Sequence, residues 1–124
     1  MPRHVPASVT ELSQVGLLAA LPGDVLMKLA QRMKREEAGP GAPLLSEGEQ
    51  GERFYVVLSG LLSVTQADRG FRGVLKPGDY FGEVALTMDM PRTASVSPMT
   101  RVTLASCDRE TFDEFIRPLF VEDA

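Results

Sequence analysis

A mainly β fold, a roll with helices at both ends, is what this sequence predicts, and three observations predict it. Short apolar runs, parted by turn residues about every eight to twelve positions, fill the middle of the chain. On either side of them the apolar residues switch to helical spacing. The length of 124 residues, with 44% hydrophobic and 24% charged, suits one soluble domain with its own core and is too short for two.

The elements follow in order. Ser8-Val9-Thr10-Glu11 has the spacing of a capping box, in which Ser8 and Glu11 satisfy each other's end of the first turn. A short helix from Val9 to about Val15 is expected to follow and to end at Gly16. Pro22-Gly23-Asp24 is the next break, with Asp24 placed as an N-cap. Beyond it Leu26, Leu29, Ala30 and Met33 fall on one face of a second helix. From Arg35 the pattern changes. Gly39-Pro40-Gly41, Glu47 to Gly51, Ser59-Gly60, Asp68-Arg69-Gly70 and Pro77-Gly78-Asp79 signal turns. Between them lie the apolar runs Pro43 to Leu45, Phe54 to Leu58, Leu61 to Val64, and Val74 to Leu75. Phe54 to Leu58 is apolar without alternation, as a central strand covered on both faces should be. Val102 to Ala105 alternates and predicts a half-buried strand. Asp108 caps a last helix, Glu110 sits near its positive end, and Phe112, Phe115, Ile116 and Leu119 form its apolar stripe. Pro118 is expected to end or kink it.

Composition excludes several function classes. A net charge of −4 and a pI near 5.0 do not suit a nucleic-acid surface, which needs a basic face. A single cysteine, Cys107, forms no internal disulfide and points to a reducing compartment. The first residues lack the apolar stretch of a signal peptide, and the run Val15 to Leu21 is far too short to span a membrane. A cytoplasmic, soluble chain is expected. His4 is read as a solvated terminal residue, so a metal site, which needs two or three histidines with carboxylates, is not expected. Cys107 has no histidine near it in sequence, and no catalytic constellation appears. The basic run Lys28, Arg32, Lys34 and Arg35 is read as a solvated face. Tyr55 and Phe81 are read as packing groups, while Met88 and Met90 suit a contact point and core filling equally.

One stretch carries chemistry, Phe81 to Val96. Gly82 lets backbone approach a ligand closely, and Val84-Ala85-Leu86 can open a helical turn whose free N–H groups point back toward it. Arg92 can clamp an anion with two parallel hydrogen bonds, and Thr93 adds a hydroxyl. Glu83 is repelled by a bare phosphate and so suits a sugar hydroxyl on the same ligand. Neighbours on a regular strand face opposite ways, so Arg92 and Thr93 reach one ligand only from outside a strand. Pro91 places them at a loop-to-strand junction.

Gly82-Glu83-Val84-Ala85-Leu86, followed after a short interval by Pro91-Arg92-Thr93-Ala94-Ser95-Val96, resembles the phosphate-binding cassette of cyclic nucleotide-binding domains. Glu47 to Gly60 resembles that family's early hairpin, Lys76 to Gly82 its approach to the cassette, and Leu17 to Pro22 its N-terminal helical segment. The resemblance implies an eight-stranded β-roll (a jelly-roll-like double-stranded β-helix) and a single domain over 1–124. Within it, 1–34 is a helical segment, 35–107 the roll with the cassette at 81–96, and 108–124 a C-terminal helix. It also implies roles. Glu83 takes the ribose 2′-hydroxyl, Arg92 the exocyclic phosphate oxygens, and amides of Gly82, Val84 or Ala85 and of Thr93 complete the cradle. The Thr93 hydroxyl meets phosphate or the amino group of a syn guanine. The expected ligand is cAMP or cGMP, with no cofactor and no catalysis. The expected output lies in a fused or separate domain or protein, and the chain is a candidate homodimer. The alternative is a ligand-free roll serving as a dimerisation or interaction scaffold. The family often lids the purine with a further helix, and none is expected within this sequence. The expectation is a lid from another segment, or Leu119-Phe120-Val121 folding back.

Overall fold

Among the described residues, seven strands make two antiparallel sheets that face each other as a roll. The computed structural model describes residues 6–41 and 43–120, so the reading of His4 and the end of the 108–124 helix fall outside the described residues. One sheet has the order β1-β7-β2-β5, from β1 (Lys34–Ala38), β7 (Val102–Asp108), β2 (Arg53–Ser59) and β5 (Tyr80–Phe81). The other has the order β4-β3-β6, from β4 (Gly70–Leu75), β3 (Leu62–Gln66) and β6 (Ser95–Pro98). The run Pro43 to Leu45 forms no ladder of its own. Leu45 makes an isolated bridge to Val96, so the described residues hold seven strands where the resemblance implied eight.

Side-chain alternation along β2 builds two cores. Phe54 and Val56 face the helices with Leu12, Leu29, Met33, Leu86, Phe112 and Ile116. Val57, with Tyr55 packed beside it, faces the roll interior with Leu62, Phe81, Val96, Val102 and Leu104. The unbroken apolar run Phe54 to Leu58 is thus a central strand flanked by β7 and β5. Strand β7 is also covered on both faces, since Ala105 and Cys107 join the helical core while Val102 and Leu104 join the interior one. It is therefore more deeply buried than its alternation predicts. Each fully buried large side chain here contributes about 1.5–3 kcal/mol.

Three helices open the described residues. The capping box at Ser8 forms as expected on α1 (Val9–Ser13). The first helix stops at Ser13 with Gln14 as its C-cap, so Gly16 does not end it but begins α2 (Gly16–Ala19), and the N-cap of α3 (Gly23–Arg32) is Pro22, leaving Asp24 inside the first turn. The basic run is divided. Arg32 donates to Glu114 at 2.9 Å and lies over the Phe115 ring, and Arg35 pairs with Glu11 at 3.3 Å, so these two tie elements together. Lys34 and Arg35 belong to β1, an edge strand whose charges discourage pairing with another chain.

Past the cassette helix α4 (Glu83–Thr87), the described residues end in a helical segment. Asp108 caps it by accepting from the Thr111 N–H. It runs as α5 (Arg109–Thr111), a π turn (Phe112–Ile116) and α6 (Arg117–Phe120). Pro118 does not end it. The widened turn just before, where the Arg117 N–H donates back to the Phe112 carbonyl, accommodates a residue that has no N–H to give.

Candidate functional site

The cassette sits where β5 leaves the roll. Gly82 is left-handed (φ 97°) and starts α4. A Cβ there would stand 2.8 Å from the Arg53 carbonyl oxygen and 3.0 Å from Arg92 Nη1, so only glycine fits by conformation and by space. Arg92 lies between the cassette helix and β6, and is 7% exposed. Its Nη1 donates to the Gly82 carbonyl at 3.0 Å and its Nη2 to the Arg53 carbonyl at 2.8 Å. Its backbone is clamped as well, donating to the Glu49 carbonyl and accepting from the Gly48 N–H, both at 2.8 Å.

That clamp brings in the segment Glu47 to Gly51, which in the sequence signals a turn and the start of a hairpin. A Cβ on Gly51 would lie 2.4 Å from the Ala85 Cβ and 3.0 Å from Arg92 Cζ, so the guanidinium rests against bare backbone. The paired glycines Gly48 and Gly51 were the available signal, since a glycine can mark close backbone approach as well as a turn.

Glu83 faces the same space. Its Oε2 is buried and has no hydrogen-bond partner. Burial pushes its carboxyl above the ordinary range, partly offset by its own backbone N–H and by the charge of Arg92. Burial likewise lowers the Arg92 guanidinium, against the pull of Tyr55, Glu83, Glu49 and Glu52, and it stays cationic at neutral pH. No ion pair to Arg92 occurs among the described residues.

Gly82, Glu83, Val84, Ala85, Arg92 and Thr93 all line one cavity of about 220 Å³, whose other wall includes Leu45, Val64, Leu75 and Val96. Arg92 and Thr93 precede β6, and that junction lets both border the cavity. The Thr93 carbonyl is held by Gln66 Nε2 at 2.9 Å. Phe81 lines the cavity and stacks on Tyr55, with centroids 4.9 Å apart and ring planes 7° apart. Met88 is 67% exposed and Met90 38%, which excludes core filling as their role. Leu119 and Phe120 do not lid the cavity. They pack against the helical core, Phe120 edge-on to Tyr80 at 5.5 Å, and Val121 lies outside the described residues.

Behind the cassette two arginines engage the carbonyl end of α4. Arg117 Nη2 donates to the Leu86 carbonyl at 2.7 Å and Nη1 to that of Thr87 at 3.4 Å. Arg109 donates to the carbonyls of Leu86 at 3.5 Å and Gly51 at 3.3 Å. Elsewhere, no cluster of metal-ligating groups occurs among the described residues, and the buried Cys107 thiol is pushed up to about 12 by desolvation, far from a reactive thiolate.

The chain is similar to several known proteins. The family described as cyclic nucleotide-binding domain matches residues 35–118. A cAMP-dependent protein kinase regulatory subunit of Yarrowia lipolytica is 38% identical over 109 residues, covering 87% of this chain and 29% of that protein. A cGMP-dependent protein kinase, egl-4, of Caenorhabditis briggsae is 35% identical over 125 residues, covering 96% of this chain and 17% of that protein. The regulatory domain of Toxoplasma gondii PKA, in a co-crystal with cAMP, superposes with a TM-score of 0.85 at 27% identity, covering 90% of this chain and 44% of that one. The chain thus spans well under a third of the length of these curated relatives.

Proposed function

The chain belongs to the cyclic nucleotide-binding domain family, and from that premise we propose that its cavity takes cAMP or cGMP and that residues 1–124 act as one regulatory sensor domain. One observation carries the reading. A single cavity presents a buried guanidinium with only carbonyl partners and a buried carboxylate oxygen with no donor. Burying either group without compensation is unfavourable, and a ligand with an anion and an adjacent hydroxyl compensates both. In this reading Glu83 accepts from the ribose 2′-hydroxyl and the uncommitted N–H groups of Arg92 donate to the exocyclic phosphate oxygens. Amides of Gly82, Val84, Ala85 and Thr93 complete the cradle, and the apolar wall of Leu45, Val64, Leu75 and Val96 receives less polar parts of the ligand.

Occupancy is passed on through the back of the cassette. A shift of α4 toward the phosphate moves the Leu86 and Thr87 carbonyls that Arg109 and Arg117 hold, and with them the helical segment 109–120. The domain acts by binding rather than catalysis, in the cytoplasm, and its output lies in another domain or protein, such as a kinase catalytic subunit. Calorimetric titration with each nucleotide tests the reading, and saturable heat with at least one is expected. Hydrogen exchange across residues 109–120 should change on saturation. No heat with either nucleotide would leave the same roll as an interaction scaffold.

A further inference from the structure

We propose that Glu36, Ser106 and Arg53 form a positioning chain that fixes the Arg53 carbonyl and, through it, the Arg92 guanidinium. The proposal rests on the reading of the cavity given above. Ser106 lies on β7 between β1 and β2 and is 0% exposed. It stands opposite Lys34 on one side and Tyr55 on the other. Glu36 and Arg53, each two residues along from those partners, reach it diagonally from both flanks.

The hydroxyl is used to capacity. A serine has one hydrogen to donate and two lone pairs to accept with. Ser106 donates to Glu36 Oε2, and it accepts from Arg53 Nε at 3.2 Å and Nη2 at 2.8 Å. The Arg53 side chain is therefore held in one pose, with a carboxylate answering its charge across a single hydroxyl. At the same residue the backbone carbonyl accepts from Arg92 Nη2 and stands over the missing side chain of Gly82. None of Glu36, Arg53 and Ser106 lines the cavity, so none of them touches a ligand held there.

The chain differs from simple scaffolding, and from a mere charge near the phosphate, in what it predicts for two Glu36 variants. Glu36 is half-buried on an edge strand, where substitution spares the core. Glu36→Gln keeps an acceptor oxygen for Ser106 but removes the charge, whereas Glu36→Ala removes both. Calorimetry with cAMP on the full chain should show Glu36→Ala weaker by about three- to tenfold, the effect of one hydrogen bond, and Glu36→Gln within about twofold of the parent. Tighter binding by both variants would make the group an electrostatic one and overturn the proposal. A lower melting temperature with unchanged affinity in Glu36→Ala would overturn it too. The arginine Nε–Hε resonances of the free protein give a readout that needs no ligand. The Arg92 signal, assigned with Arg92→Lys, should move in Glu36→Ala and hold in Glu36→Gln, and an unmoved signal in Glu36→Ala overturns the positioning role. If the parent chain binds neither nucleotide, the reading of the ligand fails while this signal still decides the chain.

Discussion

The two ends of the cassette helix meet opposite conditions. At its start, Glu83 Oε2 is buried without a donor and Arg92 answers only to carbonyls. At its finish, the Leu86 carbonyl takes hydrogen bonds from both Arg117 and Arg109, and those arginines are themselves paired, Arg117 with Asp113 at 2.9 Å and Arg109 with Asp89 at 3.5 Å. A helix of five residues thus holds both an unsatisfied front and a saturated back. The back also suits its place, because cations at a helix C-terminus complement the carbonyls there. A small helix with one open end and one anchored end can respond to a ligand without losing its seat.

Four measurements break or sharpen that contrast. Arg92→Ala strikes the open end hardest. Losing a charge-assisted clamp should weaken nucleotide binding by about 10- to 100-fold in calorimetry. Gly51→Ala presses a methyl into Ala85 and the Arg92 guanidinium. It should destabilise the free domain by about 1–3 kcal/mol in urea unfolding and weaken binding as well. Arg117→Ala loosens the anchored end. A loss of about 1–2 kcal/mol in the same assay is expected, together with faster hydrogen exchange at residues 84–88 and a smaller change in affinity than Arg92→Ala gives. Glu83→Gln gives the smallest stability effect and one of defined sign. Because burial raises the folded-state pKa of Glu83, the folded chain holds its proton to higher pH than the unfolded one. Its contribution therefore falls as pH rises from the ordinary carboxyl value, near 4.5, through the raised folded value. Unfolding at pH 4 and at pH 7 should show the parent losing that increment and Glu83→Gln keeping it, while the variant binds nucleotide less tightly.

The front of this arrangement was legible in the sequence and the back was not. Gly82, Glu83, Arg92 and Thr93 lie within a dozen positions, and their chemistry can be read from local geometry. The anchors bridge far larger separations, 31 residues from Arg117 to Leu86 and 58 from Arg109 to Gly51. No short-range pattern announces a contact of that kind. The roll was visible because Phe54 to Leu58 and Leu61 to Val64 are apolar enough to name themselves as strands. Strand β1 was not, since Lys34-Arg35-Glu36-Glu37-Ala38 is an edge strand whose charges erase the hydrophobic signal. Pro118 was expected to end or kink the last helix; the helix does not end there, because a π turn stands just before it.

The aromatic stack beneath the cavity has an optical consequence. The chain contains two tyrosines and no tryptophan. Tyr80 lines the cavity, and Tyr55 stacks on Phe81, which lines it too. All tyrosine emission thus arises from rings that line the cavity or stack on one that does, and a nucleobase seated there would quench or shift it. The molecule carries its own fluorophores at the place where occupancy would be read, with no label and no distant background to subtract.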